Sequence, residues 1–149
     1  MTVGLVTDVS GGYSVNVLEA ARQACLVSRL LGQRVGDGKT ALSVEEALWL
    51  GTRGGVRVVG WEDRVGAFGV GMEWDAQLVG GLDYVPEVDS EDADGEKTVG
   101  EKRQVEEFGG NVKVFGWENM EDRVAKWVYC GNDRNTRKVW VGGRLVHER

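Results

Sequence analysis

The run Val3-Gly4-Leu5-Val6 is apolar on both of the faces a strand presents, and no other feature constrains the fold of this chain so strongly. A strand of that kind belongs in a parallel sheet covered by helices on both sides. Thr7-Asp8 and the turn-forming pair Gly11-Gly12 follow it directly. The pattern then becomes helical. Asn16 with Glu19 has the form of a capping box, and Val17, Ala20, Ala24, Val27 and Leu31 recur at helical spacing. Gly32 and the group Gly36-Asp37-Gly38 are expected to end that helix. Ser43 and Glu46 open a second helix, with Val44, Ala47 and Leu48 on its apolar face and Gly54-Gly55 as its expected stop.

From Val65 the character changes. Gly66, Gly69 and Gly71 punctuate short apolar pieces, and Ala76 to Val79 reads as a strand. Met120, Val124, Trp127 and Val128 return to helical spacing before Gly131. Val139-Trp140-Val141 and Leu145-Val146 flank Gly142-Gly143, the pattern of a hairpin. The order is strand, helix, helix, short strands, loop, helix, hairpin. That is an α/β order in which the leading strand has no parallel neighbours, so the sequence reads as part of a larger α/β protein.

The net charge of -6 belongs to one stretch. Between Asp83 and Glu107 there are ten acidic and three basic residues, a net of -7, which leaves +1 for the rest. This stretch also holds the single proline, Pro86, and reads as a solvated or disordered loop. There is no basic stripe for nucleic acid and no basic amphipathic face for a membrane. No apolar run approaches the ~20 residues that cross a bilayer, and no signal-peptide pattern opens the chain, so a cytoplasmic location is expected. Cys25 and Cys130 fit no metal spacing and fall in apolar helical patterns, as core thiols do. Trp49 and Trp127 in amphipathic helices, and Trp140 in the hairpin, read as packing residues rather than a base-stacking surface.

Asp8 is the one residue whose position suggests chemistry. It stands just past the C-terminal end of an apolar strand, where the loops of an α/β barrel project catalytic groups. The plain alternative is an aspartate that accepts backbone hydrogen bonds in its own turn. The text around it carries a resemblance. TDVSGGYS at 7–14, LEAARQACLVSRLL at 18–31 and SVEEALWLGTRGG at 43–55 resemble the last barrel strand and following helices of guanine deaminases. VGAFGVGMEWDAQLV at 65–79 is similar to the segment by which amidohydrolases return from barrel to β-sandwich. The tail also resembles that family, most closely in Gly131-Asn132-Asp133-Arg134-Asn135.

The resemblance implies a zinc-dependent (β/α)8 barrel with an appended β-sandwich, of which this chain holds a C-terminal portion. Residues 1–64 would be the last barrel strand and helices, and 65–82 the return strands. Residues 83–111 would be the acidic loop, and 112–149 a helix and hairpin. For Asp8 it implies zinc ligation and acceptance of a proton from the attacking water, with guanine deaminated to xanthine and ammonia. It also implies association, as a homodimer or with a full-length enzyme. The second reading is a non-catalytic interaction module that pairs with a full-length deaminase, and the third is a fragment of another cyclic-amidine deaminase of the superfamily.

Two departures matter. The family's zinc site takes several histidines, whereas this chain has only His147, in the closing hairpin. The resemblance puts the family's other ligands, its general-acid glutamate and its purine-binding arginine before Met1, so the chain alone is expected to be inactive. Val6 also precedes Thr7 where the family has glycine.

Overall fold

A computed structural model describes residues 1–83 and 111–149. The acidic loop assigned to 83–111 therefore falls almost wholly outside the described residues. Two compact units emerge: Met1–Ala76 with Val139–Val146, and Gln77–Lys138 with His147–Arg149.

In the first unit, helix α1 spans Val17–Val35, helix α2 spans Val44–Trp49, and helix α3 spans Gly55–Val58. Asn16 caps α1 by accepting from the Leu18 N–H at 2.9 Å. The reciprocal half of the expected capping box does not form. The Glu19 carboxylate is taken by Tyr13, Arg22 and Gln23, and the Asn16 N–H instead donates to the Ser14 hydroxyl at 3.2 Å. The helix runs through Gly32 and ends at Gly36, whose φ of 70° needs no Cβ. Ser43 and Glu46 do form a full capping box on α2.

Gly54-Gly55 does not stop the second helix. The chain continues from α2 through a π-helical turn, Leu50–Gly54, into α3. The two glycines serve close approach instead. A Cβ on Gly54 would lie 2.8 Å from the Val3 carbonyl oxygen, and one on Gly4 would lie 2.6 Å from the Gly55 Cα. Against them lies the segment at Val3–Val6, with the Leu5 N–H donating to the Leu50 carbonyl at 2.9 Å. It is not a strand: β pairing needs a neighbouring chain edge, and among the described residues this segment meets a helix.

The core of this unit is small. Ala21 and Cys25 of α1 are buried with Val44 and Ala47 of α2. Ser28 ties α1 to the segment that leads into α2, donating to the Cys25 carbonyl and accepting from the Leu42 N–H, each at 2.9 Å. The opposite face of α1, with Leu26, Val27, Leu30 and Leu31, is about half exposed, so the helix is apolar on two sides. Trp49 is exposed as well, with the Arg57 guanidinium 5.9 Å from its ring centre. That is a correction to its reading as a packing residue, because α2 buries only Val44 and Ala47.

Three strands, β1 (Ala76–Val79), β2 (Thr136–Val141) and β3 (Arg144–Glu148), form one sheet in the order β1-β2-β3. Gly142 and Gly143, at φ 56° and 78°, make the β2–β3 turn that the sequence signalled. In the second unit helix α4 spans Met120–Cys130, with a capping box between Asn119 and Asp122. Val112 and Val128 are buried there. Cys130, at the end of α4, is exposed rather than a core thiol, since the buried face of the helix is carried by Val128.

Candidate functional site

Asp8 lies in a loop whose backbone is unusual. Asp8 and Ser10 have φ of 48° and 98°, the left-handed region that residues with a Cβ enter at a cost. The loop closes through the main chain, with the Gly12 N–H donating to the Asp8 carbonyl. A Cβ on Gly11 would stand 2.7 Å from Asp8 Oδ2, which can move aside, whereas one on Gly12 would run into the Thr7 carbonyl oxygen of the main chain. The Asp8 side chain thus folds over a glycine and stays exposed, and the turn is not closed by its carboxylate.

Beyond Gly12 the chain is tied to α1 by a polar network. The Tyr13 hydroxyl donates to Glu19 Oε1 at 3.1 Å, and Gln23 Nε2 donates to that hydroxyl at 2.9 Å. Arg22 donates to Glu19 Oε2 at 2.9 Å. Arg22, then Gln23 and Tyr13, hold the Glu19 carboxyl below its ordinary pKa against a smaller opposing effect of burial. Val6, Thr7, Tyr13, Glu19 and Gln23 border a cavity of about 170 Å³ beside the loop. Nothing in the sequence reading singled out Tyr13 or Gln23. The spacing of Glu19, Arg22 and Gln23 along one helix face is the signal that could have found the network.

His147 sits in β3 and is exposed. Among the described residues no group of three or more histidine, cysteine, aspartate or glutamate side chains could hold a metal ion. Among the described residues Asp8 therefore stands without the partner ligands that a zinc centre needs.

The motif at 131–135 is a structural turn. Asn132 caps the short helical turn Asp133–Asn135 by accepting from the Arg134 N–H at 3.0 Å. Asn135 is fully buried, with Oδ1 accepting from the Asn132 N–H at 3.1 Å and Nδ2 donating to the Gly80 carbonyl at 3.1 Å. Its own carbonyl accepts from the Gly80 N–H at 2.8 Å. The end of β1 is thereby pinned to the start of β2, and these groups of Asn135 are engaged by the protein itself.

An α/β arrangement carrying one exposed carboxylate in a strained loop leaves several enzyme classes open, and comparison with known proteins narrows them. The profile of the amidohydrolase family matches residues 1–146, and the chain belongs to that family. Within it, guanine deaminases are among the similar proteins. The probable guanine deaminase of Schizosaccharomyces pombe is 39% identical over 146 residues, which are 98% of this chain and 23% of that protein. Guanine deaminase of Homo sapiens is 34% identical over 144 residues, covering 97% of this chain and 27% of the human protein. The solved structure of E. coli guanine deaminase superposes with a TM-score of 0.67 at 27% identity, covering 100% of this chain and 28% of that one. The chain spans about a quarter of the length of these relatives.

Proposed function

We propose that this chain is a C-terminal portion of a zinc-dependent guanine deaminase, made of the last strand position and helices of a (β/α)8 barrel and part of an appended β-sandwich. The reaction is hydrolysis at the ring carbon of guanine that bears the exocyclic amine. Water replaces the amine, and xanthine and ammonia leave, a step of purine breakdown in the cytoplasm. Asp8 is the residue we assign to it, as a metal ligand and as acceptor of the proton that the attacking water gives up. The observation that carries this reading is the Asp8 loop. Left-handed backbone at two non-glycine residues presents a carboxylate instead of burying it, and such strain gathers at functional sites.

The metal would take Asp8 as one ligand of a set whose imidazoles this chain does not supply. A lone carboxylate holds zinc weakly, so the chain by itself is inactive in this reading. Purified protein supplied with zinc and guanine should form no xanthine, and turnover above the enzyme-free control would overturn that part. Residues 1–149 spliced in place of the matching quarter of the Schizosaccharomyces pombe relative should restore guanine deamination. In that chimera Asp8→Asn should lower kcat by about 10²–10⁴-fold, the range for loss of a positioned proton acceptor. An Asp8→Asn chimera as fast as its parent would remove Asp8 from the mechanism.

A second reading, a non-catalytic module that pairs with a full-length deaminase or with itself, draws on the half-exposed apolar face of α1. Co-purification with a complete deaminase would favour it, and a monodisperse monomer would count against it. If the chimera favours another cyclic amidine over guanine, the chain comes from a different deaminase of the superfamily.

A further inference from the structure

We propose that Glu19 is a positioning residue for Asp8, acting through the Tyr13 hydroxyl to hold the Asp8 loop on helix α1. This deepens the role assigned to Asp8 above and rests on it. Non-glycine residues at φ 48° and 98° keep those angles only where their surroundings enforce them. The loop supplies short internal ties, the hydrogen bond from Gly12 to the Asp8 carbonyl and the bridge between Val9 and Gly12. The next tie reaches outside the loop. Tyr13, five residues after Asp8, places its phenol between Glu19 and Gln23, one turn apart on α1.

Glu19 is the centre of this arrangement. One carboxylate oxygen receives Tyr13 and Gln23, and the other receives Arg22. A glutamate at this position in a helix ordinarily turns back to cap the first turn. Here Asn16 and Ser14 complete the cap without it, which leaves Glu19 free to hold the phenol. The connection therefore runs from the helix body to Tyr13 and back along four residues of chain to the backbone of Asp8.

The test uses the full chain and isotope labelling. Three-bond couplings from the main-chain nitrogen and carbonyl carbon of Asp8 to its Cγ report whether χ1 occupies one rotamer or several. In the wild type they should report one rotamer. Glu19→Gln, which exchanges the charged acceptor for a neutral amide, and Tyr13→Phe, which removes the hydroxyl, are both near-isosteric and should each give averaged couplings. They should also speed amide exchange at Ser10 to Tyr13 by about ten-fold or more, while α1 amides keep their protection. Gln23→Glu in the Glu19→Gln background returns a charged acceptor to the phenol and should restore the single rotamer.

Couplings that stay unchanged in both variants would overturn the proposal, as would a wild type already averaged. Loss of α1 protection in step with the loop would also overturn it, since Glu19 would then only stabilise the helix. None of these outcomes depends on catalysis, so failure here is distinct from failure of Asp8 in the chimera.

Discussion

The loop at Asp8 and the turn at Asn135 are both short polar connections, and they treat their polar side chains in opposite ways. At Asn135 the amide is fully buried, and its oxygen and nitrogen are both matched by backbone partners. At Asp8 the backbone is left-handed and the carboxylate faces solvent. A turn that exists to join elements satisfies its own groups, because an unmatched buried polar atom costs about 1–3 kcal/mol. A loop that exists to present a group accepts local strain and leaves that group available.

This contrast can be broken most easily at Asn135. Asn135→Ala should destabilise the second unit by about 3 kcal/mol, since the Asn132 N–H and the Gly80 carbonyl lose buried partners together. Urea titration followed by amide signals of α4 would measure it. A loss below about 1 kcal/mol would mean that the turn is not held by this side chain. Asp8→Gly should move the other way, raising the stability of the first unit by about 0.5–1 kcal/mol as the left-handed strain is relieved. A destabilised Asp8→Gly would show that the carboxylate has a structural role and would weaken the comparison.

The smallest effect is in pH. Burial raises the Glu118 pKa, but the Lys126 ammonium and the Phe115 N–H at 2.6 Å outweigh it and hold the carboxyl below the ordinary value of 4.5. A depressed carboxylate stabilises above its unfolded pKa, and the contribution is lost as pH falls through the folded one. The second unit should therefore lose stability as pH drops below 4.5, and Glu118→Gln should flatten that dependence. Equal slopes in wild type and variant would assign the acid sensitivity elsewhere.

The sequence made some elements legible and hid others, for physical reasons. Caps and hairpin glycines act locally, so Ser43 with Glu46 and Gly142-Gly143 could be read directly. Gly54-Gly55 misled because a glycine can mark either a helix end or the close approach of another segment, and only the position of Val3 and Gly4 decides. Val3–Val6 misled because strand formation depends on a partner, which local pattern does not supply. At the site, Asp8 stood out by its place after an apolar run. Its network did not, because a capping-box spacing at Asn16 and Glu19 has the same appearance whether the carboxylate turns back to the cap or out to Tyr13.

The two thiols differ as sharply as the two turns. Cys25 is wholly enclosed between α1 and α2, while Cys130 lies open at the end of α4. Each compact unit thus carries one of the chain's 2 cysteines. An alkylating reagent reaches Cys130 without any motion, but reaches Cys25 only when the helices part. The slower of two labelling phases is therefore a clock for the opening of the unit that carries Asp8, built into the native sequence and requiring no added probe.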